Sequence, residues 1–178
     1  MIYVFGSSKI NESVYIIGVI SLLFNRKFTE KDQDKSVQIG DYIEVNKTVT
    51  SRDIFTYLGL TDEQNPLFFD ENVAAQTPYQ QCLIPPGLLI NWLGTIATTQ
   101  LVGSGSIMKG LTIHSSDSCI QEKPVQLSAQ VLRFQEELSS IICHVEVSQS
   151  SQIKLSGEME IAVAPPLRLP FDDAYNNF

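Results

Sequence analysis

The sequence predicts an α+β domain in which an antiparallel β-sheet wraps around one long central helix. Two hydropathy patterns carry that expectation. From Gly87 to Val102, apolar residues stand at positions 88, 89, 90, 92, 93, 96, 97, 101 and 102. They cover most of a helix circumference, so this helix belongs inside the protein rather than on its surface. Beyond Pro124 the period falls to two. Val125, Leu127, Ala129 and Val131 alternate with Gln126, Ser128 and Gln130. Half-buried strands in succession, joined by short polar connections, form a sheet with one apolar face. A buried helix early and a one-faced sheet late pack as two layers.

In chain order, residues 1–34 are expected to form a β-rich N-terminal extension, with Ile2–Phe5 and Val14–Phe24 joined through a polar turn. The second run is too short for a bilayer span, which needs about 20 residues. It has only Lys9 before it and no small-x-small site after it, so it does not read as a signal peptide. The main domain is expected over 35–164. Asp41 to Val49 reads as a strand, and Thr50-Ser-Arg-Asp53 has the form of a capping box opening a helix to about Leu60. A polar loop containing Asn65-Pro66 follows, then Ile84-Pro-Pro-Gly87, which leads into the central helix; Gly103-Ser-Gly105 ends it. His114 stands on or near a strand with polar neighbours. Two further strands follow the first alternating one. Ile141, Cys143, Val145 and Val147 alternate with Ile142, His144 and Glu146, which turns His144 outward. Ile153, Leu155, Met159, Ile161 and Val163 then share one face, opposite Lys154, Ser156, Glu158 and Glu160. Residues 165–178, with Pro165-Pro166 and Pro170, form a C-terminal tail.

Composition narrows the function. At 178 residues, 43% of them apolar and 18% charged, the chain is an ordinary globular one with enough length for a sizeable core. Its net charge of −8 and scattered basic residues exclude a nucleic-acid partner, since nothing is gathered to neutralise phosphates. Cys82, Cys119 and Cys143 are odd in number and far apart. They read as small apolar fillers in a reducing, cytoplasmic environment rather than as a disulfide framework or zinc site. No phosphate loop, dinucleotide fingerprint, nucleophile elbow or metal-ligand cluster occurs, and no cofactor is expected.

The residues that carry chemistry lie in Leu60–Asp70 and Leu83–Gly87. Glu63 stands two residues before Asn65-Pro66, Phe68 follows, and Pro86-Gly87 opens the helix. Glu63 reads either as a base or as a solvated loop residue. Gly87 reads either as a backbone donor site, open because it lacks a side chain, or as the end of a turn after Pro85-Pro86. Phe68 either adds apolar surface to a pocket or packs in the core with Phe69.

The order and spacing of Gly40-Asp41, the Thr50 helix, Glu63-Gln-Asn-Pro66 and Ile84-Pro-Pro-Gly87 resemble the MaoC-like hydratase family of hotdog-fold proteins, over about residues 37–163. The family loop reads Asp-x-Asn-Pro-x-His. The resemblance puts its catalytic Asp on Glu63, its Asn on Asn65 and its Pro on Pro66, and its catalytic His on Phe68. It puts the Gly whose N–H holds the thioester carbonyl on Gly87, preceded by Pro86 where the family often has His. It therefore implies a hotdog fold and an acyl-thioester ligand on coenzyme A or an acyl carrier protein. It implies also a homodimer or a heterodimer with a related subunit. Glu63 and Asn65 are the catalytic candidates; Pro66, Phe68, Pro86 and Gly87 are the binding candidates. Three functions remain open: an acyl-thioester binder with weak or absent hydratase activity, a working hydratase or dehydratase using Glu63, and a thioesterase.

Overall fold

A computed structural model describes residues 37–103, 105–135 and 139–163. The expected extension over 1–34 and tail over 165–178 lie outside the described residues. Within them, strand β1 spans Tyr42–Thr48, followed by helix α1 over Ser51–Thr61. A 3-10 turn at Pro66–Phe68 precedes the short helix α2, Glu71–Ala74. Helix α3 covers Pro86–Thr95 and continues as π-helix over Ile96–Val102. Strands β2 (Ile107–Ser115), β3 (Pro124–Gln135), β4 (Ser140–Gln149) and β5 (Gln152–Ala162) complete the domain.

The five strands form one antiparallel sheet in the order β1-β3-β4-β5-β2. β4 and β5 join through Ser150 and Ser151, with φ of 53° and 61°. Two left-handed residues match the twist of the flanking strands in a tight hairpin. The inner face carries Val125, Leu127, Ala129 and Val131 of β3 and Cys143, Val145 and Val147 of β4, all buried. Against that face lies α3, with Leu88, Leu89, Leu93, Ile96, Ala97 and Leu101 inside, and Asn91, Thr95 and Gln100 exposed on its far side. Burial of this helix is the expected arrangement. Its last turns widen to π geometry, with the Gly103 N–H bonded to the Thr98 carbonyl, and Gly103 ends it at φ 118°.

The Thr50 capping box closes as expected. The Thr50 hydroxyl accepts from the Asp53 N–H at 3.3 Å, and the Asp53 carboxylate accepts from the Thr50 N–H at 2.9 Å. Two otherwise unpaired helix-end donors are satisfied together.

One strand departs from the expected alternation. Leu155, Met159 and Ile161 do face inward, but Ile153 and Val163 are exposed and Lys154 is buried. The register explains the end near the hairpin. Val147 pairs with Leu155 and Ser148 pairs with Ile153, so Lys154 is an extra residue in a β-bulge. The bulge turns its backbone aside, and its carbonyl accepts from the Ser116 N–H at 2.9 Å. Its ammonium donates to Asp117 at 2.6 Å and to Gln152 at 3.2 Å. Asp117 also accepts from the Tyr79 hydroxyl at 3.2 Å. The Lys154 hydrogen bond is the main cause that holds the Asp117 carboxyl below its ordinary pKa.

Two stability measurements test this packing. Leu93 is fully buried, so Leu93→Ala should cost about 2–5 kcal/mol in urea unfolding. Because the folded state lowers the Asp117 pKa, its stabilisation is complete above the unfolded carboxylate pKa of about 4 and is lost as pH falls through the depressed value. Asp117→Asn should therefore lower the urea midpoint at pH 7 and converge on the parent protein in strong acid. A constant difference across that window would contradict the pairing.

Candidate functional site

The loop after α1 is shaped by its own side chains. Asp62 ends the helix in the left-handed region at φ 54°. The exposed Glu63 carboxylate accepts from the Asn65 N–H at 3.0 Å, and the Asn65 side-chain oxygen accepts from the Leu67 N–H at 3.1 Å. Asn65 thus caps the 3-10 turn that Pro66 begins. This turn drives Phe68 inward to 8% exposure and leaves Phe69 at 43%. Asp70 caps α2, its carboxylate accepting from the N–H groups of Asn72 and Val73.

The segment after β2 ties this loop to the start of α3. The Gln121 side-chain amide donates to the carbonyls of Phe68 at 2.7 Å and Leu83 at 2.8 Å. Leu83 donates its N–H to the Leu67 carbonyl at 2.9 Å and forms a β-bridge with Ile120. Ile84 donates to the Cys119 carbonyl at 2.8 Å. No sequence signal marks Gln121, an isolated amide in a polar stretch whose partners lie far away in the chain.

Gly87 is the second residue of α3, so its N–H has no acceptor within the helix. The hydroxyl of Tyr57, on α1, lies directly against it: a Cβ added at Gly87 would overlap that hydroxyl and stand 3.2 Å from the Tyr57 Cζ. Nothing in the sequence singles out Tyr57, which stands between the buried Ile54 and Leu58 on the same helix. Pro85 is buried and Pro86 exposed ahead of Gly87.

A cleft of about 570 Å³ opens beside the loop, lined by Ile54, Phe55, Phe68, Cys82, Gln121 and Glu122 among others. Phe68 serves both readings open to it, as core packing and as cleft wall. Glu63, Asn65, Pro66, Pro86 and Gly87 do not line this cleft. Of the six candidate residues the cleft gathers only Phe68.

Other reactive groups are muted. Burial pushes the Cys119 and Cys143 thiols up to about 11, and both fill the core. Cys82 is half-buried on the cleft wall, its thiol raised first by burial and then by the Glu71 and Asp70 carboxylates. A nucleophilic thiolate needs the opposite environment. His114 is exposed on β2, across from Ser156. His144 faces outward on β4, 3.7 Å from the Glu146 carboxylate. Among the described residues no three His, Cys, Asp or Glu side chains converge as metal ligands, and no helix is long and apolar enough to cross a membrane.

No protein-family model matches the chain, and no curated protein sequence does. Solved structures do resemble it. The (R)-hydratase from A. caviae involved in PHA biosynthesis matches with a TM-score of 0.70 at 19% identity, over 73% of this chain and 99% of that one. A MaoC-like dehydratase from Rhodospirillum rubrum matches with a TM-score of 0.58 at 15% identity, over 74% of this chain and 96% of that one. A chain of the ChsH1–ChsH2 complex from Mycobacterium tuberculosis matches with a TM-score of 0.62 at 13% identity, over 72% of this chain and 100% of that one. The antiparallel sheet and the helix seated on it are therefore the hotdog fold of the (R)-hydratases and MaoC-like dehydratases.

Proposed function

We propose that this domain binds an acyl thioester, on coenzyme A or an acyl carrier protein, and hydrates it weakly or not at all. One observation carries the reading: on a hydratase fold, the loop position that the resemblance gives to the catalytic histidine holds Phe68, a buried phenyl ring. Hydration of an enoyl thioester needs a base to activate water, a donor to protonate the α-carbon, and a group to stabilise the enolate-like oxygen. A phenyl ring supplies none of these. Loss of one arm of acid–base catalysis is worth about 10²–10⁴-fold.

What remains suits binding. The Gly87 N–H, at the positive end of α3, is available to a thioester carbonyl. Glu63 keeps a carboxylate in the loop, held on the Asn65 N–H. Compared with the aspartate of the family pattern it has one more methylene, and a misplacement of about 1 Å can cost about 100-fold. Pro66 and Pro86 would shape the approach to the two loop ends. The partner is a second copy of this chain or a related hotdog subunit, and one structural neighbour is itself a complex of two named subunits. Three free thiols suit a reducing cytoplasm, and an acyl-thioester ligand would place the domain in fatty acid metabolism.

The readings separate by direct assay. Crotonyl-CoA and longer enoyl-CoA substrates should give no hydration above background, while acyl-CoA should raise the unfolding temperature, because a ligand selective for the folded state stabilises it. A robust hydration rate that disappears in Glu63→Gln would replace this reading with a working hydratase. Release of free thiol would select a thioesterase. Joint substitution of Glu63→Asp and Phe68→His should raise hydratase activity above that of the parent chain.

A further inference from the structure

We propose that the cleft between α1 and the Phe68 loop is a second binding site, which takes a small organic cation with a flat apolar body, such as an arylalkyl ammonium. The assignment does not depend on the acyl-thioester reading, because of the groups assigned to that ligand the cleft holds only Phe68. Its volume of about 570 Å³ falls within the range of small-molecule sites, roughly 300–1,000 Å³. Buried Ile54 and Phe68 supply apolar lining, and Phe55 and Phe69 stand beside them 61% and 43% exposed. Exposed aromatics scattered singly need no explanation, but gathered on one concave surface they mark a place for a ligand.

Charge decides which ligand. The lining carries two carboxylates, Glu71 and Glu122, and among the described residues it has no Lys, Arg or His. Neither of these carboxylates has a hydrogen-bond or ion-pair partner among the described residues. The Cys82 thiol on the same wall registers their field: burial raises its pKa first, and the Glu71 and Asp70 carboxylates raise it further. Solvated glutamates are ordinary on a protein surface. Here an unpaired pair shares one concavity with three phenyl rings, and ring faces and carboxylates attract the same sign of charge. A cation gains from both, a neutral aryl group gains from the rings alone, and an anion is repelled. Coenzyme A, with its phosphates, has the wrong charge for this cleft. The cation site is therefore separate from the one proposed for the acyl thioester.

The test varies charge on a constant body. We would titrate the full chain with phenethylammonium, phenethyl alcohol and hydrocinnamate and follow the protein by NMR. Phenethylammonium should bind about tenfold more tightly than hydrocinnamate, with the alcohol between them, and the spread should narrow at high salt. Joint substitution of the exposed Glu71→Gln and Glu122→Gln should bring phenethylammonium to the affinity of the alcohol and leave the alcohol unchanged. Capping the half-buried Cys82 with N-ethylmaleimide should abolish binding of all three probes. The other two thiols, buried and pushed up to about 11, should stay unreacted. Equal affinity for the three probes would overturn the assignment, as would undiminished phenethylammonium binding in the charge variant or after capping. Displacement of bound phenethylammonium by butyryl-CoA would overturn it in favour of a single acyl-thioester site. Absence of phenethylammonium binding would overturn it and leave the acyl-thioester reading untouched.

Discussion

The seating of α3 on the inner face of the sheet governs everything near the candidate site. Its apolar side meets β3 and β4, and its π-helical end lies over β1 and β3. Lys47 of β1 places its ammonium 4.1 Å from the ring centre of the half-buried Trp92 on the helix. A helix held this firmly presents its first turn as a rigid feature. The strap of Cys119, Ile120 and Gln121 then fixes the approach to that turn and the Phe68 loop in one hydrogen-bonded unit. Such a unit fixes the Gly87 N–H in place relative to the Phe68 loop.

Much of the fold was legible because each element has a local cause. Thr50 and Asp53 mark the start of α1, and the apolar circumference of Leu88–Val102 marks a buried helix. Alternation in β3 and β4 names the inner rows, although Ile142, on the other row of β4, is buried as well. In β5 the alternation fails at Ile153 and Lys154 because a bulge shifts it by one, and nothing in Gln152–Leu155 announces an extra residue. A buried lysine there is tolerated because Asp117 and Gln152 receive its ammonium, a pairing between residues far apart in sequence. The site was legible in outline only. Spacing picks out Glu63, Asn65, Pro66, Phe68, Pro86 and Gly87, but it cannot reveal that Phe68 turns inward while the others stay off the cleft. Nor can it reveal that Tyr57 of α1 meets Gly87.

Chemically the site is a set of donors and apolar walls with one displaced carboxylate. Both buried thiols are held protonated, the two histidines stand on strands away from the loop, and Phe68 removes a proton carrier from the position where the resemblance expects one. Polarising a carbonyl needs only donors of fixed geometry, whereas hydration also needs proton transfer at two further atoms. Under the proposed reading, the helix-start N–H of Gly87 serves the first task, and Phe68 leaves the second without a proton carrier.

The most direct test of binding without turnover is carbon NMR of crotonyl-CoA labelled at the carbonyl, mixed with the full chain. The expected result is a carbonyl resonance displaced downfield by hydrogen bonding, with no signal from a hydroxyacyl product over hours. An unperturbed carbonyl resonance would contradict acyl-thioester binding, and steady growth of the hydroxyacyl signal would contradict the loss of hydratase chemistry.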